Sequence, residues 1–179
     1  MIDDDGYRPN VGIIIANSQS QLLWAKKAGF TAWQFPQGGI SNNETPLEAV
    51  YRELYEEVGL KADDVEILGE TRAWLRYMVP KKYRRKISSD NKVCIGQKQK
   101  WFLLKLTAAE EKVRLDRHTT PEFDKWRWID YWDALDNVIY FKRAVYRNAL
   151  CELSHYLLRG KQRYLPDKYR VDYSKKNCL

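Results

Sequence analysis

Apolar residues along the chain form short runs that polar or turn-forming segments separate. Val11–Ala16 is a run of apolar, mostly β-branched residues, and Leu22–Ala25 is a second run after the turn-forming segment Asn17–Gln21. Both runs have the length of a buried strand. Similar runs predict further strands at Val65–Leu68, Ala73–Met78, Lys100–Leu106 and Lys125–Ile129. Between the second and third predicted strands, Trp33–Phe35 leads through Pro36 into a glycine turn.

Two segments have apolar residues at the three- and four-residue spacing of a helix. The first opens with Thr45, Pro46 and Glu48, which suit an N-cap, a first helical position and the acid of a capping box. Its apolar stripe is Leu47, Val50, Leu54 and Val58, and Gly59 suits the left-handed residue that ends a helix, with Leu60 as hydrophobic partner. The second predicted helix runs from about Lys142 to Arg159, with Val145, Ala149, Leu153 and Leu157 on one face and Gly160 as its stop.

The order of these elements predicts an α+β fold. Strands and helices are interleaved without regular βαβ alternation, which favours a mixed sheet with helices on both faces. A chain of 179 residues suits one domain. We assign residues 1–160 to that domain and expect residues 161–179, which are polar, basic and aperiodic, to form a partly ordered tail.

Composition points to a polyanionic partner. The net charge is +7, and seven Trp, twelve Tyr and five Phe are a high aromatic load that exceeds the needs of a core. Excess cations with surplus aromatic rings favour nucleic acid, although charge alone also serves solubility. The basic run Lys81–Lys86 is a candidate track for an RNA backbone, or equally a solvated loop.

Three features predict a cytoplasmic protein that does not enter a membrane. Cys94, Cys151 and Cys178 are odd in number and widely spaced, so they favour a reducing compartment over a disulfide or zinc framework. The acidic start, Met-Ile-Asp-Asp-Asp, lacks the basic and apolar regions of a signal peptide. No apolar run has the length of a membrane span.

Three carboxylates crowd one arc of the first predicted helix. At about 100° per residue, Glu53, Glu56 and Glu57 lie within roughly 100° of one another, where like charges repel. A hard cation among them relieves that repulsion, and oxygen ligands select Mg²⁺, Mn²⁺ or Ca²⁺ rather than zinc. An arbitrary acidic helix is more often simply solvated. The surrounding spacing decides between these two interpretations.

Seven residues from Gly38 to Gly59 have the spacing of the Nudix box. They are Gly38, Glu44, Arg52, Glu53, Glu56, Glu57 and Gly59, with aliphatic Leu54 and Leu60 at the intervening and following positions. Seven such matches arise by chance at roughly one in 10⁸ start positions. The chain therefore resembles the Nudix hydrolases. This resemblance implies an α/β/α sandwich with a mixed sheet, and hydrolysis of a nucleoside diphosphate linked to another group.

Further segments resemble a bacterial group within that family, the RNA pyrophosphohydrolases. The likeness runs from residue 1 to about residue 159, and it rests on residues 3–12, 33–39, 94–102, 121–124, 126–128 and 141–143. It implies conversion of 5′-triphosphate or 5′-diphosphate RNA ends to 5′-monophosphates, which exposes messages to decay. The implied partner is a single-stranded 5′-phosphorylated RNA end, and the implied cofactor is Mg²⁺ or Mn²⁺, with more than one ion.

The resemblance also implies which residues act. The metal ligands would be Glu53, Glu56, Glu57 and, outside the box, Glu122; either Glu53 or Glu122 would help to deprotonate the water. Arg52 completes the catalytic set, and the residues themselves favour a structural role for it, orienting a glutamate by a bidentate pair.

Substrate contacts follow from the same resemblance. Arg8, Tyr77, Gln97 and Lys142 match positions that hold the polyphosphate or the first nucleotide, and Ile139 with Phe141 match a cleft for the second base. Lys27 stands where the group's arginine is expected against a base, and Ala32 stands where a serine is common. Lysine cannot stack as a planar guanidinium does, so the base preference stays open.

Two other functions stay open at this point. Dinucleoside polyphosphate hydrolases share the segment Trp33–Gly39 and cleave the same type of bond. A catalytically inactive RNA-binding module is the other alternative, although no box glutamate is missing. The residues leave open the choice between triphosphate and diphosphate ends, the oligomeric state and any protein activator.

Overall fold

The computed structural model describes residues 2–84, 93–117 and 119–170. Within these ranges eight strands form a single sheet and three α-helices pack around it. The strands are β1 Tyr7–Ala16, β2 Leu22–Lys27, β3 Trp33–Gln34, β4 Gln37–Gly39, β5 Val65–Glu70, β6 Leu75–Met78, β7 Gly96–Leu106 and β8 Phe123–Ile129. The helices are α1 Pro46–Val58, α2 Ala134–Asn137 and α3 Arg143–Leu157.

The sheet is mixed because its two longest strands are parallel and the remaining pairs are antiparallel. β1 lies parallel to β7, with Tyr7 opposite Gly96 and Ala16 opposite Lys105. The main strand order is β3-β2-β1-β7-β5, while β4 pairs with β1, β6 with β7 and β8 with β2. Strands this central are apolar on both faces, which explains the continuous apolar runs in the sequence.

Alternate residues of the same strands enter two different cores. In β1, Ile13 and Ile15 pack in a core with Leu54 of α1, whereas Ile14 packs on the opposite face with Leu150 of α3. This separation follows from the two-residue period of a strand. The predicted α+β class, with helices on both faces of a mixed sheet, is confirmed.

Helix α1 begins and ends as its sequence predicts. The Thr45 side chain accepts a hydrogen bond from the Glu48 backbone N–H, and the Glu48 carboxylate accepts one from the Thr45 N–H at 2.7 Å. Gly59 ends the helix at φ 73°, a conformation that favours glycine. These local interactions fix where α1 begins and ends.

Several sequence expectations need correction. Leu47 is 39% exposed and does not belong to the buried stripe of α1, which instead includes Ala49 and Glu53. Gln37–Gly39, expected as a turn, is a strand whose backbone pairs with β1. The sixth strand begins at Leu75 rather than Ala73. Helix α2 was not expected, and α3 ends at Leu157, so the chain has left the helix before it reaches Gly160.

The described part of the C-terminal segment contacts the domain. Leu165 and Tyr169 pack against the core on the α3 side, and the Trp132 indole N–H donates to the Gln162 carbonyl at 2.9 Å. Residues 171–179 lie outside the described residues, so the expected tail is described only as far as residue 170. The same holds for residues 85 and 86 of the basic run. None of the helices in the described ranges combines the length and the apolar character that a membrane span requires.

Candidate active site

Arg52 holds together the segment before α1 and the carboxylates on it. Its guanidinium forms a bidentate pair with Glu44 at 2.7 and 2.9 Å, and donates to the Gly39 carbonyl at 2.8 Å. It also donates to Glu53 at 2.6 Å and to Glu56 at 3.2 Å. This pairing lowers the pKa of Glu44 to about 2. Arg52 therefore pairs with three box glutamates, Glu44, Glu53 and Glu56, and links them to the Gly39 backbone.

Glu53 lies directly against the backbone of β4. A Cβ atom added at Gly38 would stand 1.7 Å from the Glu53 carboxyl carbon, so only glycine leaves room for this carboxylate. Glu53 is 8% exposed, and burial raises its pKa against the opposing effect of the Arg52 charge. The first glycine of the box thus has a steric role that its spacing alone does not reveal.

Glu57 is fixed by a backbone donor. Its Oε2 atom accepts a hydrogen bond from the Gln37 N–H at 2.9 Å. Burial raises the pKa of Glu57 well above its usual range, and repulsion from Glu53 and Glu122 acts in the same direction. A carboxylate that is poorly solvated and close to two others is a group that a nearby cation would stabilise.

Glu122 belongs to a segment that is distant in sequence from α1. The Lys27 Nζ atom lies 2.6 Å from Glu122 Oε1, and the Ala28 N–H donates to the Glu122 carbonyl at 2.9 Å. β2 and β8 are antiparallel, and their register shifts between Lys26 and Lys27. Glu122 immediately precedes β8, so this part of the pairing brings it beside Lys27. Ninety-five residues separate this pair in the sequence. The sheet therefore brings Glu122 near the α1 glutamates.

The donor set fits a hard divalent cation. Carboxylate oxygens are the ligands that such ions prefer. Burial raises the pKa of Glu53 and Glu57 because their ionised carboxylates are poorly solvated, and a bound cation would stabilise the ionised form. Arg52 and Lys27 hold oxygens of three of the four predicted ligands. Across the part of the chain that the structure describes, no three acidic, His or Cys side chains form a group that could hold a metal ion as they stand. Three predicted ligands are instead paired with protein cations, and Glu57 accepts from the Gln37 N–H.

Lys142 lies almost fully buried at the floor of the site. Its Nζ atom donates to the side-chain oxygens of Gln34 at 3.1 Å and Gln37 at 3.0 Å, and lies 5.7 Å from the centre of the Tyr77 ring. Burial lowers the pKa of Lys142 to about 8, and the nearby Lys27 charge adds to this effect. A cation held by neutral amides keeps capacity to bind an anion.

Three residues predicted to contact the polyphosphate or first nucleotide lie side by side across the sheet. In β7, Gln97 stands opposite Arg8 of β1 on one side and opposite Tyr77 of β6 on the other. The Tyr77 hydroxyl donates to the Gln97 side chain at 2.6 Å. Arg8 is exposed, and its guanidinium covers Gly39, where an added Cβ would stand 2.2 Å from Nη2. Strand register therefore assembles this set.

The predicted base cleft has one half-buried and one exposed residue. The Phe141 ring is half-buried and lies 6.0 Å from the Tyr77 ring, centre to centre, while Ile139 is 38% exposed. Tyr77 itself is 6% exposed and packs with the core on the α3 side. Phe141 is therefore partly accessible to a ligand, whereas Tyr77 is buried and packs beside the Phe141 ring.

Some contributors were missed from the sequence. Gln34 and Gln37 hold Lys142, and Gln37 also positions Glu57 through its backbone. Gln99 is fully buried, where it donates to Asn10 at 2.7 Å. The sequence feature that could have identified them is an amide side chain within an otherwise apolar strand, because a buried polar side chain requires hydrogen-bond partners.

Comparison with known proteins defines the class. A family model described as the NUDIX domain matches residues 6–149. The fold also resembles solved Nudix-type enzymes at low identity. The E. coli dihydroneopterin triphosphate pyrophosphohydrolase gives a TM-score of 0.60 at 17% identity, over 79% of this chain and 95% of that one. A C. elegans Ap4A hydrolase gives 0.55 at 19%, over 78% and 93%. The chain belongs to the Nudix hydrolase family.

Closer relatives share most of the sequence. An RNA pyrophosphohydrolase of Halorhodospira halophila is 62% identical over 157 residues, covering 88% of this chain and 85% of the relative. One of Pseudomonas paraeruginosa is 60% identical over 158 residues, covering 88% and 98%. The resemblances stated from the sequence, to the Nudix family and to its RNA pyrophosphohydrolases, are therefore confirmed.

Proposed function

We propose that this protein is a divalent-metal-dependent hydrolase that converts 5′-triphosphate or 5′-diphosphate RNA ends to 5′-monophosphates, releasing pyrophosphate or phosphate. The observation that carries the proposal is the proximity of Glu57 to the charges of Glu53, Glu122 and Lys142, next to side chains that we assign to phosphate and base binding. High identity to relatives named RNA pyrophosphohydrolase supports the same substrate. Cytoplasmic messenger RNA is the proposed pool, and its decay the proposed consequence.

The reaction is attack of water on a phosphorus atom of the 5′ polyphosphate. Glu53, Glu56, Glu57 and Glu122 would hold Mg²⁺ or Mn²⁺, which when bound supplies charge neutralisation for the phosphate oxygens and a more acidic water. Either Glu53 or Glu122 accepts the proton of the attacking water. Their surroundings differ: Glu53 is buried against Gly38, and Glu122 is partly exposed beside Lys27.

The remaining residues bind and orient the RNA end. Arg8 supplies positive charge from an exposed position and Lys142 from a buried one, and Gln97 supplies an amide whose oxygen is held by Tyr77. Phe141 offers an aromatic face to the second base, as single-stranded recognition requires. Because these contacts need an unpaired end, a 5′ end within a duplex should be a poor substrate.

A direct competition tests the substrate. We expect 5′-end-labelled triphosphate RNA to be hydrolysed with higher kcat/KM than diadenosine tetraphosphate or free nucleoside triphosphate, each at equal concentration with Mg²⁺. Glu57→Gln should lose activity on all of them by orders of magnitude, and Glu66→Gln, an exposed glutamate of β5, serves as the matched control. A higher kcat/KM for diadenosine tetraphosphate would establish the dinucleoside polyphosphate hydrolase instead. RNA binding without hydrolysis would establish the inactive binding module.

A further inference from the structure

A row of aromatic rings leads from the floor of the site to the protein surface. Lys142 underlies Tyr77, the Tyr77 ring lies 6.0 Å from Phe141, and the Phe141 ring lies 5.8 Å from Tyr83 with 35° between the planes. Exposure increases along this row, from 6% at Tyr77 to 48% at Tyr83. Phe141 thus has a further ring on its outer side, which the proposed function has not used.

The turn that carries the outer ring is ordered by backbone hydrogen bonds. Tyr83 closes a 3-10 turn, Lys81–Tyr83, in which its N–H donates to the Pro80 carbonyl at 2.8 Å. The next residue, Arg84, donates from Nε to the Val79 carbonyl at 2.7 Å, and the Val79 N–H donates to the Ile95 carbonyl. The turn is therefore tied to the strands of the site. Because the backbone of the turn is already ordered, stacking on the Tyr83 ring does not require ordering of the main chain.

The surroundings of Tyr83 match a nucleic acid strand. Lys82 Nζ lies 4.8 Å from the centre of the Tyr83 ring, and Lys81 in the same turn is exposed. Tyr140 is 60% exposed and packs edge-on against Phe141, with 5.4 Å between ring centres. Cations beside successive aromatic faces are the arrangement that binds single-stranded RNA, in which phosphates meet the cations and bases meet the rings.

We infer that Tyr83 is a stacking platform for the third nucleotide of the RNA, continuing the row beyond Phe141. This inference rests on the proposed function, which assigns the first nucleotide to the inner residues and the second base to Phe141. Lys81 and Lys82 supply the charge for the backbone at that point. The site therefore extends over three nucleotides and prefers substrates of at least that length.

Measuring the affinity for the reaction product, 5′-monophosphate RNA, tests the role of Tyr83 in binding separately from any role in catalysis. Single-stranded 5′-monophosphate RNAs of two and four nucleotides, labelled at the 3′ end, are titrated with the full-length protein and followed by fluorescence anisotropy. The wild type should bind the four-nucleotide RNA about five- to a hundredfold more tightly, the range of one stacked base. Tyr83→Ala should remove the stacking part of this gain, keep the part that Lys81 and Lys82 contribute, and leave the affinity for the two-nucleotide RNA unchanged.

Two variants and one modified RNA sharpen the test. Tyr83→Phe should keep the gain because it keeps the ring, and Tyr164→Ala, a 57% exposed tyrosine of the C-terminal segment, should behave as wild type. A four-nucleotide RNA that lacks the third base should bind the wild type as weakly as intact RNA binds Tyr83→Ala. The inference is overturned if Tyr83→Ala binds four nucleotides as tightly as wild type, or weakens both lengths equally.

Phosphate release separates this inference from the proposed function. On triphosphate RNA the wild type should release pyrophosphate or phosphate, and Tyr83→Ala should lower kcat/KM for four nucleotides only. If the wild type shows the length-dependent binding and Tyr83→Ala reduces it, yet no RNA is hydrolysed, the platform stands and the proposed reaction fails. If RNA is hydrolysed without any contribution from Tyr83 in either assay, the reaction stands and the platform fails.

Discussion

Gly38→Ala is the most informative perturbation of the site, because its effect follows from one distance in the structure. The new Cβ would stand 1.7 Å from the Glu53 carboxyl carbon and 1.9 Å from one of its oxygens. Real Cβ contacts are not shorter than 3.0 Å, so the carboxylate must move by roughly 1.3 Å or more. Displacement of about 1 Å at a reacting group costs on the order of 10²-fold. We expect kcat to fall by about that factor.

The neighbouring glycine supplies a matched control. In Gly39→Ala the added Cβ meets the end of the flexible Arg8 side chain at 2.2 Å, so Arg8 moves and the carboxylates stay. We expect this variant to raise KM far more than it lowers kcat, because Arg8 is proposed to bind phosphate and not to take part in the chemical step. Neither glycine has a positive φ, so alanine introduces no backbone strain at either position.

Kinetics and stability together decide whether Gly38 acts through Glu53. Pyrophosphate or phosphate release from triphosphate RNA is measured for Gly38→Ala, Glu53→Ala and the double variant, together with thermal unfolding of each. If the clash with the carboxylate is the whole effect, the double variant should be no slower than Glu53→Ala, since the clashing atoms are absent. Fully additive losses of kcat, or a kcat near wild type in Gly38→Ala, would refute the reasoning.

Three further predictions concern other parts of the site. Glu56→Gln or Glu57→Gln should lower kcat by orders of magnitude without unfolding, and a chelator should abolish wild-type activity until Mg²⁺ or Mn²⁺ is restored; full activity of either variant contradicts the assigned ligands. Phe141→Ala should lower kcat/KM on RNA of two or more nucleotides about tenfold with little change in Tm, whereas loss of a buried Phe would cost roughly 3–5 kcal/mol of stability. Because the pKa of Lys142 is lowered to about 8 in the fold, the unfolded chain binds one more proton above that pH. Relative to Lys142→Met, the free energy of unfolding of the wild type should therefore rise by up to about 3 kcal/mol between pH 8 and 10.5, as measured by urea denaturation, and a flat difference contradicts the burial argument.

Much of the fold follows from local patterns. The caps of α1 involve Thr45, Glu48 and Gly59, each within a few residues of its partner, so sequence spacing is sufficient to predict them. The strands β1 and β2 are apolar on both faces, and such runs need no knowledge of their neighbours. Leu47 shows the limit of this reasoning. It has the right spacing for the buried stripe, but the sheet lies under the adjacent arc of the helix, and the side chain remains 39% exposed.

Residue spacing was enough to predict the family, the fold class and the arc of Glu53, Glu56 and Glu57 on α1, because side chains on one helix lie at rotations that their spacing sets without tertiary contacts. Which charged side chains form ion pairs depends on the tertiary structure. Glu122 and Lys27 are 95 residues apart, and only the β2–β8 register joins them. The depth of Lys142 and the steric role of Gly38 arise in the same way. Both depend on how closely segments distant in the chain approach, and packing, rather than local spacing, sets that distance.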